Sequence, residues 1–362
     1  MTASTESVAD AAPSPTVLAR ARDVLARGKI VALPTETVYG LGVRADRPAA
    51  CAALAAAKRR PAERAFTWHI GSTSALERLA RVSPMARRLA ARYWPGPLTL
   101  VLPGVARGLA EIARDGWTGV RLPAHKGTAG ILAALDFPVV LTSANRFGEA
   151  PLCTAADIVR TFASEVELVL DGGPSRLGES SSVLALGPGR FELLRAGLFT
   201  PEQLRAVAGL KIGFVCTGNT CRSPMAEALA KRVLAERLAV PAARIAEFGF
   251  EVLSLGISAP RGSEAARHSV TVMAEMGCDL SAHASRPAWP DDLERLDLVY
   301  CMTHAHREAV IALGGPTMQT RAQLLSEDGA DIADPFGGSL TDYRRAAGEI
   351  ERAVRARVEE WA

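Results

Sequence analysis

The stretch LKIGFVCTGNTCRSPMAEALAKRVLAERL, residues 210–238, decides how the second half of this chain is read. LKIGFVC is an apolar run that fits a buried strand. TGNT is a short polar turn with a glycine. SPMAEALAKRVLAERL carries Ala226, Leu229, Ala230, Val233 and Leu234 at the spacing of one buried helical face. Ser223 is the expected N-cap and Pro224 the first helical residue. Cys216 to Arg222 then forms a loop between a strand end and a helix N-terminus, where backbone N–H groups converge and the helix dipole favours an anion. The two cysteines, Cys216 and Cys221, admit four readings: buried thiols, metal ligands, a disulfide, or a nucleophile with a neighbour. The field at the helix start favours a thiolate at the head of the loop, which is the nucleophilic form. Arg222 can close the loop as a planar two-pronged donor to phosphate oxygens. A zinc site would need a second close pair of ligands, and neither the cysteines nor His304 and His306 supply one.

Upstream of this stretch, FELLRAGLFTPEQLRAVAG (191–209) reads as a short strand followed by a helix that Thr200-Pro201 opens and Gly209 ends. That places a domain break at 208/209. A chain of 362 residues, 48% of them hydrophobic and 22% charged, has the length and composition for two globular domains. Both halves alternate strand and helix patterns, so each is expected to be α/β. The formal net charge of +3 is too small to argue for nucleic acid without local clusters. The opening MTASTESVADAAPSPT has no basic residue and no apolar run, so it is no signal peptide, and residues 1–14 are expected to be a disordered lead-in. No stretch is long and apolar enough to span a membrane. The six scattered cysteines make no disulfide framework and fit a reducing cytoplasm.

In the first half, VLARARDVLARG predicts an amphipathic helix ending at Gly28, and KIVALPT a strand. PTETVYGLG follows, polar at the strand's end and then glycine-rich, as in a loop that lets backbone approach a ligand. LAAAKRRPAERAFTWHI packs Lys58, Arg59, Arg60 and Arg64 before a strand that ends at His69. WPGPLTLVL (94–102), GVRLPAH (119–125), PVVLTSANRFGEAP (138–151), DGG (171–173) and ESSSVL (179–184) put small polar groups at strand ends. Such residues suit a polar cleft.

With its strand, helix and Cys-x5-Arg-Ser-Pro spacing, the second half resembles the low-molecular-weight protein tyrosine phosphatase family over nearly all of 210–358. The family's late Asp-Pro pair is supplied by DPFGGS at 334–339. The resemblance implies a doubly wound, mainly parallel sheet and three catalytic residues. Cys216 attacks phosphorus, Arg222 holds the equatorial oxygens, and Asp334 protonates the leaving group and then activates water. Thr217, Gly218, Asn219, Thr220, Cys221 and Ser223 complete the phosphate loop. Ser223 steadies the thiolate and Asn219 holds the loop's shape. In this family a second loop cysteine, here Cys221, can form a reversible disulfide with the first. Thr220 stands where tyrosine phosphatases often carry a larger aliphatic residue. CTGNTCRS with DPFGGS and MTHAHR is similar to the bacterial protein-arginine phosphatases, which implies a phosphoarginine rather than a phosphotyrosine protein as substrate. Arsenate reductases share the loop but need a close pair of relay cysteines, and Cys278 and Cys301 lie 23 residues apart. His268, His283, His304 and His306 are read as structural or surface residues.

The motifs of the first half, in their order, resemble the YrdC family of threonylcarbamoyl-AMP synthases over about 15–205. The resemblance implies an open twisted sheet with a basic cleft. It also implies conversion of ATP, L-threonine and bicarbonate to threonylcarbamoyl-AMP and pyrophosphate, for modification of a tRNA adenosine. Lys58 and Arg60 match the family's Lys-x-Arg pair and hold the triphosphate. Ser143, Asn145 and Arg195 match nucleotide contacts. Thr37, His69, Arg121 and Ser181 match positions around the amino acid, with Arg121 a partner for its carboxylate. Mg²⁺ comes with ATP, and no resident metal is expected. Relatives have a concave basic surface, so the alternative is an RNA- or nucleotide-binding module without synthase activity, binding double-stranded RNA or, weakly or indirectly, tRNA through the cleft, fused to a protein tyrosine phosphatase. Arg59, Arg64, Ala65, Phe66 and LLRAG depart from the family's usual residues.

Overall fold

The computed structural model describes residues 3–8, 10–61, 65–79, 82–105, 109–110 and 112–362. Arg64 lies outside them. The chain forms two compact units, 1–204 and 205–362. The division falls inside helix Pro201–Ala208 rather than at 208/209. The end of that helix lies within the second unit, where Arg205 Nε donates to Glu247 O at 2.9 Å.

Among the described residues, the first unit is built on a ten-stranded sheet. Its strands are β1 (Ser4–Ser7), β2 (Ile30–Leu33), β3 (Gly40–Arg44), β4 (Thr67–His69), β5 (Leu98–Pro103), β6 (Trp117–Arg121), β7 (Val139–Ser143), β8 (Val166–Asp171), β9 (Ser182–Gly187) and β10 (Arg190–Arg195). The spatial order is β1-β8-β2-β3-β7-β4-β6-β5-β9-β10. Pairing is mixed: β2 and β8 are parallel, whereas β3, β7 and β4 form an antiparallel run. IVAL in β2 is buried throughout, as a central strand requires. Val24 and Leu25 of helix Pro15–Ala26 and Ile131 of helix Lys126–Ala134 pack with Leu33, Leu141 and Leu168 into one core.

Two expectations are corrected here. Within the stretch 1–14, expected as a disordered lead-in, Ser4–Ser7 instead pairs with Leu168–Asp171 as a parallel edge strand and Val8 is buried. An edge strand is held by backbone bonds and can be polar, so no apolar alternation marks it. The glycines of PTETVYGLG do not form a loop. Gly40 and Gly42 lie in β3, facing Ser143 and Leu141 of β7. A Cβ on Gly40 would come within 2.8 Å of Leu141 Cδ2, so the glycines admit the neighbouring strand's side chain.

In the second unit β11 (Lys211–Cys216), β12 (Glu251–Gly256), β13 (Leu298–Cys301) and β14 (Ala322–Leu324) form a parallel sheet in the order β12-β11-β13-β14. The chain reverses its winding about β11, so the crevice at the carboxyl end of that strand is the switch point where ligands bind in such sheets. KIGFVC is exposed at Lys211 and buried after it. Helix Leu340–Trp361 starts with a capping box between Ser339 and Asp342 and buries Ile350, Val354 and Val358 against helix Arg222–Leu238.

Candidate active sites

In the second unit, the strand–loop–helix junction positions every expected phosphate-loop residue. β11 delivers Cys216, buried, to the mouth of the crevice. The helix begins two residues earlier than expected, at Arg222, with Cys221 at the N-cap and no side-chain cap. Ser223 does not cap because its hydroxyl is drawn inward, 3.0 Å from Cys216 Sγ and 3.2 Å from Leu255 O. There it can give a hydrogen bond to the sulfur, which favours the ionised form. Asn219 adopts a left-handed φ of 52° and is fully buried. Its amide nitrogen donates to Ser223 Oγ and Ser254 Oγ, each at 2.9 Å, and its amide oxygen accepts from Arg286 N at 2.8 Å. These bonds offset the cost of the conformation and set the loop's curvature.

Arg222 and Asp334 meet. The buried guanidinium donates through Nη1 to Ile332 O at 2.9 Å and through Nη2 to Asp334 Oδ2 at 2.6 Å. Its Nε is buried without a partner among the described residues, leaving a donor for an oxyanion. Asp334 keeps half of its side chain exposed and accepts from Phe336 N at 3.2 Å. Half-buried Thr220 places Oγ1 3.7 Å from Cys221 Sγ, and that sulfur lies 3.3 Å from Tyr343 OH. Burial, then the Cys221 contact, pushes the Tyr343 phenol above its ordinary value. Cys216 and Cys221 are not joined in a disulfide. Thr217 is exposed beside half-buried Gly218 at the rim.

In the first unit, strand ends surround a cavity of about 580 Å³. Thr37, Arg60, His69 and Arg121 line it, with Ser143, Ser181 and Arg195. Lys58 and Asn145 stand behind Ser143: Lys58 Nζ donates to Ser143 O, to Asn145 O at 2.7 Å and to Asn145 Oδ1 at 3.2 Å. Ser143 Oγ donates to Asn145 Oδ1 at 2.6 Å. Burial, then the Arg60 charge, lowers Lys58 to about 7, while its oxygen partners suit the ammonium form. Arg60 stacks 5.1 Å over Phe66 and donates to Ala65 O at 2.6 Å. Two residues that depart from the family pattern therefore shape this cation's position.

Arg121 and Glu36 form a buried ion pair at 2.7 Å, with side chains 7% and 3% exposed. The same Nη2 donates to Thr37 Oγ1 at 2.8 Å, and Nε donates to Gly96 O at 3.2 Å. His69 gives its Nδ1–H to Thr67 O at 3.1 Å, and burial followed by the Arg121 charge pushes it down to about 3. It is a neutral ring with Nε2 as acceptor. Arg195 holds Ser181 through Nε to O at 2.9 Å and Nη2 to Oγ at 3.0 Å, and Ser181 Oγ is 2.9 Å from Thr99 Oγ1. Burial, then the Arg121 charge, lowers Arg195.

Residues 23–197 match the Sua5/yciO/yrdC family, described as "Telomere recombination", and residues 211–361 match the low molecular weight phosphotyrosine protein phosphatase family. A threonylcarbamoyl-AMP synthase of Chromohalobacter salexigens is 35% identical over 48% of this chain and 94% of its own. A protein-arginine-phosphatase of Bacillus subtilis is 36% identical over 40% of this chain and 93% of its own. The chain belongs to both families. A threonylcarbamoyl-AMP synthase of Pyrococcus abyssi is 38% identical over 50% of this chain, which spans about half of that relative, 54%.

Some residues at these sites escaped the sequence reading. In the YrdC-family unit, Glu36 orients Arg121 and also accepts from Ala124 N at 2.9 Å. It sits between Thr35 and Thr37 in PTET, but nothing in the local pattern shows that a carboxylate there is buried. In the phosphatase-family unit, His283 Nε2 donates to Asn219 O at 2.7 Å and His306 Nε2 lies 2.9 Å from Thr217 Oγ1. Gly256, at the end of β12, leaves room for the loop: a Cβ there would stand 2.6 Å from Thr217 O.

Proposed function

We propose that the phosphatase-family unit hydrolyses phosphorylated protein side chains, with phosphoarginine favoured over phosphotyrosine. The observation that carries the reaction is the convergence of Cys216, Ser223, Arg222 and Asp334 on one loop. The Cys216 thiolate attacks phosphorus, a P–S bond forms, and the bond to the leaving group breaks as Asp334 gives that group its proton. Asp334 then takes a proton from water whose oxygen attacks phosphorus. The P–S bond breaks, and phosphate and thiolate are released. Arg222 and the loop N–H groups hold the oxygens throughout. The preference for phosphoarginine rests on Thr220, whose small side chain and hydroxyl lie in the loop wall, and on the similarity to a protein-arginine-phosphatase.

We infer that the YrdC-family unit is a threonylcarbamoyl-AMP synthase. What carries this reading is the grouping of Arg60, Ser143, Arg121 and Arg195 at one cavity, with Lys58 held behind Ser143. Arg121, fixed by Glu36, takes the threonine carboxylate. Neutral His69 accepts from the amino group, leaving it nearer the free amine that combines with bicarbonate, with loss of water, to give the carbamate. The carbamate oxygen attacks the α-phosphate of ATP and pyrophosphate leaves, its charge offset by Lys58 and Arg60. Mg²⁺ would arrive with the triphosphate; among the described residues no group of three His, Cys, Asp or Glu side chains is placed to hold a metal ion. The product would serve tRNA modification in the cytoplasm, with tRNA contacting the unit weakly or through another protein. No helix among the described residues is long and apolar enough to cross a membrane. One assay set tests both readings: threonine-dependent pyrophosphate release from ATP, and phosphate release from phosphoarginine and phosphotyrosine proteins by the purified chain. Failure of either release rejects the corresponding reading.

A further inference from the structure

The turn 302–306, which leads from the end of β13 into the first residues of helix His304–Gly314, touches both working parts of the phosphatase site. His306 is buried, with Nε2 2.9 Å from Thr217 Oγ1, the residue after the nucleophile, and Nδ1 2.9 Å from Thr303 Oγ1. Thr303 is itself anchored as the helix N-cap, accepting from His306 N at 3.2 Å. Burial, then the Arg222 charge, holds His306 below its ordinary value against the pull of Asp334 and Asp331, so the ring is neutral with one N–H. The other arm of the turn grips the segment that bears the acid. Asp331 Oδ1 accepts from both the backbone N and Nδ1 of His304, each at 2.8 Å, and Ile332 N donates to Met302 O at 2.9 Å. Ile332 O receives Arg222 Nη1, and Asp334 follows two residues later.

We propose that His306 and Asp331 are positioning residues. The 302–306 turn is a splint that fixes Thr217 beside Cys216 with one arm and the Asp331–Asp334 segment with the other, and so sets the nucleophile-to-acid geometry. The proposal rests on the phosphatase reading above. A misplacement of such groups is costly because attack and proton donation act on the same phosphoryl group. The Asp331–His304 pair is exposed, so its loss should act on geometry far more than on folding.

The test compares kcat/KM for p-nitrophenyl phosphate and phenyl phosphate in the full chain. kcat/KM covers phosphoryl transfer to sulfur and departure of the leaving group. p-Nitrophenolate departs with little proton help, whereas phenolate needs the acid. The ratio of the two values within one preparation does not depend on how much of it is folded. Asp331→Ala should lower kcat/KM at least about fivefold more for phenyl phosphate than for p-nitrophenyl phosphate. His306→Ala should lower both by a similar factor, about tenfold, with the ratio kept. His306→Gln, whose amide nitrogen can reach Thr217, should recover at least about half of the wild-type value. A wild-type ratio in Asp331→Ala, wild-type kcat/KM in His306→Ala, or no recovery in His306→Gln overturns the splint. If the wild-type chain hydrolyses neither ester, or Cys216→Ser retains turnover, the phosphatase reading itself fails and the splint falls with it.

Discussion

At the residue scale, the proposed mechanism gives the sulfur of Cys216 and the carboxylate of Asp334 separable duties. Cys216→Ser should abolish phosphate release, because a serine hydroxyl is scarcely ionised at neutral pH where the loop needs an anion. Asp334→Asn should cut kcat by about 10²-fold or more and leave substrate binding nearly unchanged, since a proton is passed only in the transition state. Turnover by Cys216→Ser, or a wild-type kcat in Asp334→Asn, would reject these roles. Thr220→Ile adds bulk to the loop wall and removes a hydroxyl. If Thr220 selects substrate, phosphoarginine hydrolysis falls while phosphotyrosine hydrolysis is spared or rises; an unchanged ratio removes the residue from the argument. Lys58 offers a pH test. Its lowering to about 7 by burial and Arg60 means the empty cleft holds the ammonium below that pH and increasingly the neutral amine above it. A triphosphate favours the ammonium, so binding above about 7 must take up a proton. ATP affinity should fall as pH rises from there, by up to about tenfold per pH unit, and Lys58→Arg should flatten the profile because its charge persists. Calorimetry in buffers of different ionisation enthalpy reads the proton directly. No uptake by the wild-type chain at pH 8–9 would show Lys58 already charged.

At the scale of elements, the end of β12 forms the floor under the phosphate loop. A Cβ at Gly256 would stand 2.6 Å from Thr217 O and 2.9 Å from Asn219 N, both backbone atoms that no side-chain rotation can move. Gly256→Ala should therefore displace the loop, costing about 1–3 kcal/mol in stability and at least about tenfold in phosphatase kcat/KM. A chemical-denaturation midpoint and kinetics equal to wild type would show that the loop yields freely. The β11–loop–helix junction was legible because three independent signals coincide there: a buried apolar run, a polar turn with glycine, and helical periodicity. What stayed hidden follows physical reasons too. Ser4–Ser7 pairs through its backbone and shows no apolar pattern. The N-cap signal of Ser223 misleads because the same hydroxyl is drawn to Cys216 and Leu255 instead. Gly40 and Gly42 look like loop residues but make room in a strand for Leu141. Glu36, His283 and His306 act through partners 85, 64 and 89 residues away, and no local window holds both ends of such a bond.

At the scale of the whole molecule, each unit has its own sheet, and the charges proposed for one reaction are drawn from a single unit. On the proposed readings, Lys58 and Arg60 act on pyrophosphate in the first, whereas Cys216 and Asp334 act on a phosphorylated side chain in the second. Independent machinery predicts a double dissociation. Lys58→Ala and Arg60→Ala should each reduce threonine-dependent pyrophosphate release at least about tenfold, the equivalent of about 1.4 kcal/mol of transition-state stabilisation. Both should keep phosphatase kcat/KM within about twofold, as expected of sites that share no partners. Cys216→Ser should do the reverse, silencing phosphate release while pyrophosphate release continues at the wild-type rate. Omitting threonine distinguishes the synthase from any adventitious ATP hydrolysis, because the carbamate cannot form without its amine. Unchanged pyrophosphate release in both cation variants would remove the triphosphate from this cleft. A cation variant that silences the phosphatase without lowering the unfolding midpoint would instead show that the two units work as one, since only energetic coupling can carry a charge deleted in one unit to chemistry in the other.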